Sequence, residues 1–122
     1  MPIETIPQRY WAAFLRSFSR KHRGWLVRME TDGHAGEAGV RARDIALTSI
    51  ALEPKPPDGE ISILLGGPGG LTHWIDRPEA IELEENEEGA DRALAIRSDD
   101  GSKTVLRFGS AALPERVNGI AQ

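Results

Sequence analysis

Between residues 5 and 24 the apolar side chains Trp11, Phe14, Leu15 and Phe18 recur at i, i+3, i+4 and i+7. That spacing gathers four side chains on one face of a helix, and it predicts a helix over about residues 6–23. Thr5 with Gln8 three residues on fits a capping box, and Pro7 suits a first turn because it has no N–H to lose. If Pro7 opens the helix, Ile6 becomes a poor cap, so the start is open by one residue. Arg20, Lys21, His22 and Arg23 crowd the last turn, where cations meet the negative end of the macrodipole, and Gly24 supplies a stop. Burying the four apolar side chains contributes roughly 1.5–3 kcal/mol each, against propensity differences of a few tenths per residue. Packing therefore decides this helix.

After Gly24 the period changes from helical to alternating. Trp25, Val27 and Met29 share one face and Arg28 and Glu30 the other, the signature of a half-buried strand. Thr31 to Gly36 is turn-rich. From Gly39 to Glu53 the alternation slips twice: Val40 and Ala42 are in phase, Ile45 and Leu47 in the opposite phase, and Ile50 and Leu52 shift again. Each slip swaps the two faces, which predicts bends, bulges or two short strands. Pro54 to Gly59 reads as a turn. Further alternating sets follow at Ile61/Ile63/Leu65, Leu71/His73/Ile75, Ile81/Leu83, Leu94/Ile96 and Thr104/Leu106/Phe108. Asp99-Asp100-Gly101 between the last two is the strongest hairpin signal in the chain.

No helical pattern lies between these segments, so parallel crossovers are unavailable and the sheet must be antiparallel. The expected fold is α+β, mainly β, in a single domain over residues 1–122. An N-terminal amphipathic helix covers, or plugs, a strongly curved antiparallel sheet or small β-barrel of about 6–7 short strands. The strands run from about residue 25 to 109, and the tail from about 110 to 122 is loosely held.

Ile6-Pro7, Trp11, Phe14, Phe18-Ser19-Arg20, His22 and Gly24-Trp25-Leu26-Val27 resemble the opening of a family of small bacterial proteins catalogued only as a domain of unknown function. Leu71-Thr72-His73, Glu87-Glu88-Gly89-Ala90-Asp91 and Leu106-Arg107-Phe108 are similar to later parts of that family. The resemblance covers most of the chain and is specific as a set of motifs. The family carries no established activity, cofactor or catalytic residue, so the resemblance transfers none to any position here. A broader likeness to the helix-then-barrel plan of Sm-like and SH3-like proteins is architectural, and architecture alone does not license function.

The chain has 122 residues and no cysteine, which removes disulfides, thiolate metal sites and a cysteine nucleophile. Its length buries roughly 65% of the unfolded chain's surface, enough for a core without such staples. No apolar run is long enough to span a membrane and no leader pattern opens the sequence, so a cytoplasmic location is the default. The net charge of −4 is unevenly spread. Arg9, Arg16, Arg20, Lys21, Arg23 and Arg28 dominate the first stretch, and Glu79 to Asp91 carries only acids. The preferred reading is two solvated faces that lie near each other and partly neutralise.

Candidate chemistry is sparse. Gly66-Gly67-Pro68-Gly69-Gly70 lacks the run of N–H donors and the following helix of a phosphate loop, so it reads as a hairpin loop. His22, His34 and His73 do not cluster as metal ligands need to. His73 shares a face with Leu71 and Ile75 and reads as a partly buried, hydrogen-bonded histidine, without a serine or carboxylate to complete a catalytic constellation. The alternation of Glu82 and Glu84 with Ile81 and Leu83 makes a solvent face, of the kind that protects edge strands. Trp74 points away from Leu71 and Ile75 and is the one plausible exposed aromatic. No catalytic, cofactor or metal residue is expected. The favoured function is a non-enzymatic β-barrel module that binds a protein partner or a second copy, with Trp74, His73, Arg20, Lys21 and Arg23 as candidate surface. A nucleic-acid-binding barrel using the basic end of the helix is the alternative, and a small-ligand pocket near His73 a further one. The acidic pI of about 5.4 weighs against general nucleic-acid affinity.

Overall fold

The computed structural model of the chain describes residues 3–32, 39–54, 59–67, 69–85 and 91–110. His34, Pro68, the acids Glu87 and Glu88 and the tail beyond residue 110 lie outside the described residues. One helix and eight strands make up the described fold: β1 (Ile3–Thr5), a 3₁₀ turn (Gln8–Tyr10), α1 (Trp11–His22), β2 (Leu26–Asp32), β3 (Gly39–Glu53), β4 (Glu60–Leu65), β5 (Leu71–Asp76), β6 (Pro78–Glu85), β7 (Asp91–Ser98) and β8 (Lys103–Ser110).

The strand order is β1-β6-β7-β8-β2-β3-β4-β5 and every pairing is antiparallel. Two meanders, β2 to β5 and β6 to β8, are joined by the β2–β8 ladder, and β1 is added beside β6. The sheet is open, with β1 and β5 at its edges, not a closed barrel. It is nevertheless curled. In a flat sheet β5 and β8 would stand about 19 Å apart, four spacings of about 4.8 Å. Instead His73 Nε2 on β5 and Thr104 Oγ1 on β8 share a hydrogen bond at 3.2 Å.

The two phase slips in β3 are register breaks within one continuous strand. Between Val27↔Ile45 and Met29↔Ala42 the β3 side carries an extra residue, and Asp44 takes φ 49° there. Aspartate tolerates this left-handed conformation better than most side chains. A further break lies between Met29↔Ala42 and Glu30↔Val40, and another between Leu47↔Leu65 and Ser49↔Leu64. The bends let β3 serve both halves of the sheet.

The helix is shorter than the apolar period suggests. Residues 3–5 form β1, Ile6 N–H donates to Ile81 O at 2.9 Å, and Pro7 is extended at ψ 143°. Thr5 is thus held in a strand, no side chain caps the helix, and the expected capping box with Gln8 does not form. β1 was not anticipated: three residues are too few to show a period. The apolar face itself is as expected, with Trp11, Leu15 and Phe18 buried and Phe14 half-buried. They meet Ile50, Ile61, Ile63, Ile81, Leu94 and Leu106 in one core. Trp11 is oriented by its indole N–H, which donates to Ile6 O at 2.8 Å.

His22 departs from its expected role as a cation of the last turn. It is fully buried, its Nδ1–H donates to Phe18 O at 2.9 Å, and its ring stands 4.2 Å from Phe18, 4.7 Å from Trp25 and 4.8 Å from Phe108. Gly24 (φ 87°) then turns the chain, its N–H donating to Leu47 O at 2.8 Å. Trp25 precedes β2 and is half-buried.

Candidate functional site: two arginine grooves and an open edge

Three features of the surface stand out. The first is a groove of about 330 Å³ between α1 and the second half of β3. Arg16 and Arg20, one turn apart on α1, line it together with Arg23, the non-helical residue that follows the last turn. Ala12, Ile50, Ala51 and Leu52 supply its apolar lining. The two walls are tied together by the buried Ser19, whose Oγ accepts the Ile50 N–H at 3.1 Å. Among the described residues no carboxylate lines this groove, and no ion pair involves its three arginines.

The second groove is of the same volume, about 330 Å³, and crosses the sheet over β2, β6, β7 and β8. It too holds three arginines, Arg28, Arg92 and Arg107, but Asp44 and Glu84 line it with them. Arg28 and Arg107 stand directly opposite each other on β2 and β8. Glu30 bridges them: Arg28 Nε donates to its Oε2 at 2.8 Å and Arg107 Nε to its Oε1 at 3.2 Å. The hydrogen bond from Arg28 holds the Glu30 carboxyl below its usual range, desolvation opposes this, and Arg107 adds to the lowering. Arg92 is engaged as well.

The third feature is the β5 edge. Among the described residues β5 pairs with β4 alone, in unbroken register from Glu60↔Asp76 to Leu65↔Leu71. Trp74 is 53% exposed and Leu71 39% exposed, while Ile75 is buried on the opposite face from Trp74. The Gly-rich loop that leads into β5 uses its donors internally. Gly66 N–H donates to Ala46 O, Gly67 N–H to Thr48 Oγ1 and Gly70 N–H to Gly67 O. A Cβ on Gly70 would sit 2.0 Å from Leu65 O, so only glycine fits. The loop is a hairpin connection, as its sequence predicts.

The structure therefore sorts the candidate residues. Trp74 is exposed, and His73, on the other face of β5, is half-buried and bonded to Thr104. Arg20 and Arg23 meet in one groove; Lys21 is exposed, has a partner of its own and does not line it. Arg16 belongs with them. The i, i+4, i+7 spacing was readable, but the opposite wall comes from Ser49 to Leu52, far away in sequence. Glu82 and Glu84 are half-buried, and they do not guard an edge because β1 covers β6. The edge-protecting role expected of them is thus overturned. Among the described residues no group of three or more His, Asp or Glu side chains could hold a metal ion. Among the described residues no helix is long and apolar enough to cross a membrane.

No curated protein and no solved structure matches the chain. One family model does, over residues 2–116, and it covers every element described above. On that match the chain belongs to DUF5335, a family of unknown function.

Proposed function

We propose that the chain is a non-enzymatic interaction module that joins a second copy of itself along β5. The observation that carries this reading is the undefended edge. Natural sheets blunt their edges with short strands, lysine, proline or bulges. β1, at the other edge, has only three residues. β5 has six, pairs without a register break and carries no lysine, arginine or proline. Its single charge, Asp76, lies at the very end.

An antiparallel strand is also its own complement, because a two-fold axis through its centre pairs each outward N–H with an outward C=O. Centred on Trp74, such a pairing sets the two indoles opposite each other, His73 opposite Ile75 and Thr72 opposite Asp76. An aromatic cross-strand pair adds to the ladder. A cytoplasmic location is the default that goes with this reading.

Light scattering after size exclusion tests it. The expected result is a species of twice the 13.4 kDa chain mass that reverts to the monomer in Trp74→Lys with unchanged circular dichroism. A monomer at hundreds of micromolar, or a dimer indifferent to Trp74→Lys, overturns it.

A further inference from the structure

We propose that the groove between α1 and β3 is a binding site for a small organic polyphosphate, held by Arg16, Arg20 and Arg23. This inference is independent of the β5 edge. It rests on three observations that point the same way.

The first is the absence of local neutralisation. A guanidinium presents a planar fork of donors suited to phosphoryl oxygens. In the groove over β2 and β8 the forks of Arg28 and Arg107 are already occupied by Glu30. In the α1 groove no carboxylate among the described residues does the same. The second is that the arrangement has an unfavourable side for the helix. Like charges at i, i+3 and i+4 repel by a few tenths of a kcal/mol per pair. The macrodipole accounts for cations in the last turn, at Arg20 and beyond. It does not account for Arg16, which stands mid-helix. The third is size and lining. At about 330 Å³ the groove falls at the small-molecule end of ligand sites. Its lining of Ala12, Ala51 and Leu52 suits an organic body beneath a row of cations. Three arginines lining one groove match several phosphoryl groups better than a single one.

The test is calorimetric titration of the full chain with ATP and with inorganic tripolyphosphate, both without magnesium, at about 50 mM salt, where phosphate contacts are strongest. ATP is expected to bind more tightly than tripolyphosphate. Arg16→Gln, Arg20→Gln and Arg23→Gln are each expected to lower ATP affinity about tenfold or more. Arg28→Gln, in the neutralised groove, is expected to leave it unchanged. Circular dichroism establishes that each variant is folded, and Arg20→Lys, which keeps the charge but loses the fork, is expected to fall between wild type and Arg20→Gln. The proposal is overturned if wild type binds neither probe, or if Arg28→Gln weakens binding as much as Arg16→Gln does. Equal affinity for tripolyphosphate and ATP overturns the role of the apolar lining. Binding of a single-stranded oligonucleotide with no binding of ATP transfers the groove to nucleic acid and overturns it too.

Discussion

The two grooves have the same volume and three arginines each, yet they are opposite in character. In the groove over β2 and β8 the charges complete one another within the chain: Glu30 lies between Arg28 and Arg107, and Asp44 and Glu84 share the lining. In the groove beside α1 the three arginines share the lining with Ser49, Ile50, Ala51 and Leu52 of β3, and with no acid among the described residues. Arginine content alone therefore says little about anion binding. What matters is whether each guanidinium already has a carboxylate, and that depends on which strands the fold sets side by side.

The comparison can be broken most severely by removing the wall of one groove. Leu15 is completely buried on the inner face of α1. Leu15→Ala should cost about 2–5 kcal/mol in urea unfolding, from lost transfer energy plus the cavity left behind. Ser19→Ala cuts the tie between the walls and leaves the Ile50 N–H without its acceptor, which should cost about 1–3 kcal/mol. A loss of under half that figure would mean another group takes over the bond.

Glu30→Gln acts on the neutralised groove. Its partners are about half exposed, so the cost should be under about 1 kcal/mol. The pH dependence has a definite sign. Glu30 holds its proton less tightly folded than unfolded, so its contribution is full above the ordinary value of 4.5. It is lost as pH falls through the lower folded value. Urea midpoints of wild type and Glu30→Gln should thus converge on acidification below that point. The smallest expected effect has the opposite sign. Arg16→Gln relieves like-charge repulsion with Arg20 and should raise stability by a few tenths of a kcal/mol, visible as a slightly higher Tm.

Much of this architecture was legible in the chain. The helical face of Trp11, Leu15 and Phe18, the alternating strands and the final hairpin all follow from periods of 3.6 and 2. The slips between Val40 and Leu52 even located two of the three register breaks along β3. What escaped depends on partners distant in sequence. β1 is a strand only because β6 lies beside it. His22 sits in a run of cations, and only Trp25 and Phe108 closing over it make it a core residue. The pairing of Arg28 with Glu30 could be inferred from their shared strand face, but the third member, Arg107, is 77 residues from Glu30. The contrast between the two grooves was therefore beyond any local pattern.

The ladders that complete the sheet also bear on how the chain reaches its native state. β1 pairs Ile3 with Glu84, and β2 pairs Leu26 with Ser110, so both contacts close loops spanning most of the polypeptide. Such closures carry their entropic penalty before they return any binding energy, which puts this topology among slow, high-contact-order folders. During synthesis the aromatic face of the N-terminal helix meets β3 first, and its core is completed only when Leu94 and Leu106 follow.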